Sequence, residues 1–172
     1  MLLVIALVLV ILHHNQKISD LQVKVFNKER DTQFILNCFE QDRYWLTNNP
    51  EFSAQYMIDH MTPKPDPAYF GKQNIVLLYF KDQPVGFGAY YMKSFYEGFI
   101  HFLYINKAER GKGYSAVLMR YMMNQLSKMG SKFIKLCTRV NNVPARSLYR
   151  KLGFKELEPD EQGFVYFEMR QS

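Results

Sequence analysis

At 172 residues, 48% of them hydrophobic, the chain is long enough for one domain with its own core and too short for two. Its formal charge of +6 suits an anionic ligand, but Lys and Arg alternate with Asp and Glu as on a solvated surface, so no nucleic-acid partner is expected. Cys38 and Cys137 form no CxxC pair, and His13, His14, His60 and His101 lack ligand spacing; this leaves no disulfide framework and no metal to expect, and fits a reducing, cytoplasmic compartment.

Leu2 to Leu12 is purely apolar. As a helix it would cover ~16 Å, short of the ~30 Å hydrocarbon core. A signal peptide would want a basic start and small residues at its cleavage site, neither of which is there. Three readings stay open: an interfacial anchor touching a membrane, an added element packed on the domain, or residues from an upstream start that add nothing. Residues 1–19 are therefore set apart as an extension, and residues 20–172 as a single domain.

Leu21 to Phe26 has the alternation of a half-buried strand. From about Lys28 to Gln41, Phe34, Ile35, Cys38 and Phe39 recur at helical spacing, with Asp31 and Thr32 near the start. Asn48, Asn49 and Pro50 break the chain, and Phe52, Tyr56, Met57 and His60 predict a second short helix, closed by the Pro-rich stretch to Pro67. Ile75 to Phe80, Val85 to Met92 and Phe99 to Ile105 are apolar runs that predict a meander buried on both faces. A helix is predicted from Lys112 to Met129, with Gly130 as its stop. Phe133 to Val140 alternates again. Ala145, Leu148, Tyr149 and Leu152 then mark a helix, with Pro144 at its start and Gly153 past its end. One or two strands close the chain, including Phe164 to Met169. The order implies an α+β (mixed α/β) fold.

Arg110-Gly-Lys-Gly-Tyr-Ser115, between strand and helix, has the make-up of a phosphate-holding turn: two glycines let a ligand come close, and N–H groups at a helix start have no partner within the helix. A steric role for the glycines is the competing reading. The spacing of a Walker loop is missing. Gly111 and Gly113 fit the first half of a dinucleotide fingerprint, with Ala116 at its third glycine, but the surrounding meander is not a βαβ unit.

Some thirty residues on, Asn142, Ala145, Leu148, Tyr149, Gly153 and Phe154 stand in NNVPARSLYRKLGF. Together with the RGKGYS turn, this segment resembles the GNAT superfamily of acetyl-CoA dependent N-acetyltransferases. The family's first motif, Gln or Arg, two residues, Gly, one residue, Gly or Ala, falls on Arg110, Gly113 and Ser115, with Ser115 as the departure. The second, NxxAxxLYxxxGF, is matched at every named position, and Leu103 to Ile105 looks like the family's splayed central strand.

The resemblance implies a central, mostly antiparallel, twisted sheet of six to seven strands flanked by about four helices. It implies direct acetyl transfer from acetyl-CoA to a primary amine of a small molecule or of a protein or peptide; the alternative is a coenzyme A binding or sensor module without turnover. Backbone N–H groups of Arg110, Gly111, Lys112, Gly113, Tyr114 and Ser115 would hold the pyrophosphate, with the Arg110 and Lys112 side chains adding charge at the rim. Leu103 and Ile105 would pair with the pantetheine arm, and the Leu103 N–H would polarise the thioester carbonyl. Asn142 would bind the arm or hold the facing strands. Tyr149 would be the general acid, against the plain reading of a core aromatic. For the base, His101 and Glu97 stay open. Tyr44, Trp45, Phe52, Tyr56 and Met57 would line an aromatic wall for the substrate, against the reading that residues at helical spacing are core, and the protein is expected as a monomer or homodimer.

Overall fold

The computed structural model describes residues 20–62 and 70–171. The readings made for Leu2 to Leu12 lie outside the described residues. Strands β1 (Leu21–Val25), β2 (Phe70–Phe80), β3 (Gln83–Met92), β4 (Glu97–Ile105), β5 (Phe133–Arg139), β6 (Lys155–Pro159) and β7 (Phe164–Arg170) form one sheet in the order β1-β2-β3-β4-β5-β7-β6. Only β4 and β5 pair parallel; the other neighbours are antiparallel. Helices α1 (Lys28–Leu46) and α2 (Ala54–His60) cover one face, and α3 (Tyr114–Lys128) and α4 (Val143–Lys151) the other. No helix among the described residues is long and apolar enough to cross a membrane.

The core is correspondingly double. Val76, Leu78, Leu118, Met122, Leu126 and Leu136 fill the α3/α4 side, while Ile35, Phe39, Met57, Leu77, Phe87 and Phe102 fill the α1/α2 side. Glycine sets how close α3 comes: a Cβ on Gly88 of β3 would stand 2.5 Å from the Met122 sulfur. A larger residue there would push the end of the Met122 side chain aside.

Two departures from the sequence reading shape the cleft described below. Asp42 interrupts α1 with φ −129° and ψ 30°, so the helix bends where the apolar pattern ends and runs on to Leu46. In β4, Ala89 pairs with Phe102 and Tyr90 with Ile100, leaving His101 as the extra residue of a β-bulge. The bulge changes which way the strand faces. Before it, Gly98 and Ile100 face α3; after it, Phe102 and Tyr104 face α1. The meander is therefore buried on both faces in β2 from Ile75 and in β3 from Val85, but in β4 Phe99, His101 and Leu103 stay partly open.

Candidate functional site

β4 and β5 begin as a parallel pair, Glu97 opposite Phe133 through Phe99 opposite Lys135, and the pairing stops there. Beyond this point the strands part around a cleft of about 470 Å³, lined by 100–105 of β4 and 137–139 of β5. On its other side β4 remains bonded to β3: the Asn106 N–H donates to the Val85 carbonyl at 2.9 Å. With the two-residue period of a strand, the Tyr104 N–H then faces β3, while those of Leu103 and Ile105 face the cleft. The Ile105 carbonyl also faces away from β3, where Arg110 Nε donates to it at 2.9 Å.

At the end of β4 a 3-10 turn (Lys107–Glu109) leads into the glycine turn. Gly111 (φ +79°) and Gly113 (φ +81°) adopt left-handed backbone, and Gly113 caps α3. This is why the helix starts at Tyr114 rather than at Lys112. Among the described residues, the N–H groups of Gly111, Lys112, Gly113, Tyr114 and Ser115 donate to no protein acceptor. They form a run of unsatisfied donors at the positive end of a helix, a setting that favours an anion.

The side chains of this turn differ from expectation. Arg110 is bound to Asp42 of the α1 bend at 2.9 Å, beside the Tyr104 hydroxyl, which donates to the same oxygen at 3.0 Å. Lys112 pairs with Glu109 at 2.8 Å. Neither is a free rim charge. Each cation is close to a carboxylate that folding brings next to it. The Tyr114 ring packs on Phe80 in the core.

Asn142 caps α4: its carbonyl oxygen accepts from Ala145 N, and its Nδ2 donates to Thr138 Oγ1 of β5 at 3.0 Å. It ties the helix to β5 at the edge of the cleft. Tyr149, about two turns further along α4, is 6% exposed, with its ring against Phe154 and Phe167 at 6.2 and 5.2 Å between centroids. Its hydroxyl has no hydrogen-bond partner among the described residues, yet it is not sealed off, because Tyr149 lines the cleft. Burial, and then the neighbouring Cys137, push its pKa above the usual tyrosine range. Burial likewise raises the Cys137 thiol to about 11.

The two residues considered as base separate. His101, the bulge residue, lines the cleft; its Nδ1–H donates to Gln73 Oε1 at 3.0 Å, and its ring stacks on Phe102 at 4.0 Å. Burial pushes its pKa down to about 4, so it is neutral at pH 7. Glu97 stands at the closed end of the pair, ion-paired with Lys135 at 2.9 Å and Lys93 at 3.7 Å, and is not part of the cleft wall. The expectation for Glu97 is corrected: β4 stays paired with β5 as far as Phe99, so Glu97 lies in the closed part.

The aromatic wall also divides. Tyr44 and Trp45 line the cleft, while Phe52 stacks on Phe39 at 5.0 Å, Met57 is fully buried, and Tyr56 stacks on His60 at 4.0 Å outside the lining. Arg139 was not singled out from the sequence, yet it lines the cleft. No cluster of His, Cys, Asp and Glu among the described residues could hold a metal ion.

The model of the acetyltransferase (GNAT) family matches residues 33–154. No curated protein sequence matches the chain. Among solved structures, the Salmonella typhimurium protein yncA, determined with its cofactor acetyl-CoA, superposes with a TM-score of 0.70 at 13% identity, over 89% of this chain and 95% of that one. An acetyltransferase from Thermus thermophilus gives 0.65 at 16% identity, over 88% and 97%. An acetyl transferase from Salmonella typhimurium that modifies the N-terminal serine of ribosomal protein L7/L12 gives 0.68 at 10%, over 89% and 96%.

Proposed function

The chain belongs to the GNAT acetyltransferase family, and on that premise we propose that it moves an acetyl group directly from acetyl-CoA to a primary amine. The carrying observation is the parting of β4 and β5, which leaves the Leu103 and Ile105 N–H groups facing the same cleft as the unpartnered Tyr149 hydroxyl.

The free amides of 111–115 suit the pyrophosphate, and the open edge of β4 can accept the pantetheine arm as an added strand does. Gly111 and Gly113 have nothing within 4 Å of a Cβ position, so a ligand can approach the backbone. The thioester carbonyl then lies at the Leu103 N–H, which stabilises the oxyanion as the amine attacks. The N–C bond forms and the C–S bond breaks, the departing sulfur takes the Tyr149 proton, and the phenolate regains one through water from the two protons the attacking ammonium gives up. A phenol with a raised pKa stays protonated at neutral pH, so its proton is in place when the C–S bond breaks.

His101 is the base of this reading. The Gln73 contact occupies Nδ1–H and leaves Nε2 with its lone pair. At about 4 its pKa is too low to retain an ammonium proton, so it passes the proton on through water. The acceptor class takes in small amines and protein or peptide amines, the latter in keeping with the ribosomal-protein acetyl transferase among the structural neighbours.

The test is a panel of primary amines given acetyl-CoA while free thiol is followed. Thiol released in proportion to an acetylated amine supports transfer. Tight acetyl-CoA binding with no thiol from any amine would reassign the chain to a coenzyme A binding module.

A further inference from the structure

Arg139 ends β5 on the same face as Cys137, two residues before it, and Cys137 is the thiol that perturbs Tyr149. Its guanidinium is held flat. Nε donates to the Tyr44 carbonyl at 2.8 Å, and the group lies 4.0 Å from the Tyr44 ring and 5.1 Å from the Phe164 ring. Asn141 fixes Tyr44 in turn by donating to its hydroxyl at 3.2 Å.

What Arg139 lacks is a counterion. It makes no ion pair among the described residues, whereas Arg110, the other cation of the cleft wall, is bound to Asp42. Among the described residues, the one carboxylate in that wall is Glu109, and it is held by Lys112. Asp160 of the β6–β7 turn accepts from the Gln162 and Phe164 amides at 3.0 and 2.8 Å and does not pair with Arg139. Beyond Arg139 and Tyr44 opens a side recess of about 270 Å³, whose other walls are 140, 141, 162 and 163 and which contains no carboxylate.

A planar cation stacked between aromatic rings, its outer nitrogens unused, beside an uncharged recess, is built to take a carboxylate edge-on. We propose that the Arg139 recess is the docking site for a carboxylate on the acceptor, so that the substrate class is a primary amine that also carries a carboxylate. This rests on the acetyltransferase reading above. The two-residue step from Cys137 is ~7 Å along the strand, the span of a small amino acid. A polyamine would bring further positive charge to an uncompensated cation and is disfavoured.

The experiment compares matched acceptors on the full chain with acetyl-CoA: 4-aminobutyrate against 4-aminobutyramide, and phenylalanine against phenylalaninamide. A peptide arm, Ser-Glu-Glu against Ser-Gln-Gln, separates an acidic peptide from a free amino acid as the carboxylate's source. The acid of at least one pair should exceed its amide at least tenfold in kcat/KM. Arg139→Met should bring that acid down to the amide's level through KM, with acetyl-CoA affinity unchanged, and Arg139→Lys should recover part of the preference. Equal turnover of acids and amides by the wild type would overturn the proposal while leaving acetyl transfer intact. So would an equal loss on both in Arg139→Met. Absence of thiol release with every amine would overturn both readings.

Discussion

Replacing Tyr149 by Phe separates the chemical role of this residue from its packing. The ring contacts with Phe154 and Phe167 carry over to phenylalanine unchanged, and the hydroxyl that is lost has no partner in the fold. Stability should therefore move by no more than ~0.5 kcal/mol. The proton delivered to the departing thiolate is a different matter: a positioned acid contributes about 10²- to 10⁴-fold, or ~3–5 kcal/mol of barrier. Tyr149→Phe should lower kcat by that factor while leaving the melting temperature and the acetyl-CoA affinity within error, as read by thiol release, thermal unfolding and calorimetry on the same preparation. Because burial holds the phenol above the ordinary tyrosine range, the wild-type kcat should show no alkaline fall up to pH 10 from this group. A kcat within threefold of wild type, or a loss of stability and cofactor affinity together, would refute the assignment and leave Tyr149 as packing.

Gly113→Ala meets no steric obstacle at its Cβ but forces an alanine to φ +81°, which should cost ~1–2 kcal/mol of stability and weaken acetyl-CoA binding; unchanged melting and affinity would contradict the geometry of the turn. The depressed pKa of His101 makes the folded state poorer at holding a proton than the unfolded chain. Stability due to this residue should be intact above about pH 6.5 and should fall as the pH drops toward 4, and His101→Gln should flatten that part of a denaturant-midpoint profile. Cys137, raised to about 11, is a protonated thiol at neutral pH, so Cys137→Ala should retain turnover; a hydroxylamine-labile acetyl adduct on Cys137 would show that transfer is not direct.

The helix at Asn142 to Phe154 was legible because everything that defines it is local: a cap, Pro144, an apolar face and the stop at Gly153. The glycine turn was legible for the same reason. The bulge at His101 was not, since it is a property of the pairing between β3 and β4 and leaves the apolar run of β4 unmarked. Nor was the partner of Arg110, which lies 68 residues away at a bend in α1. Glu97 and His101 are four positions apart on one strand, and only the point where β5 turns away separates an ion-paired residue from one that faces the cleft. Phe52 and Met57 share helical spacing with Tyr56, and only the seating of α2 on the sheet shows which of them face the core. Arg139 closes an ordinary strand, and what distinguishes it, the Tyr44 carbonyl, lies 95 residues before it.

The central claim is that acetyl-CoA lies along the open edge of β4 with its pyrophosphate on the glycine turn, and amide hydrogen exchange tests it most directly. At saturating acetyl-CoA, the amides of Leu103, Ile105 and Gly111 to Ser115 should become strongly protected, while those of β1 and β2 at the far edge of the sheet keep their rates. Saturation with no change at Leu103, Ile105 and the turn, or protection confined to another surface, would contradict the account.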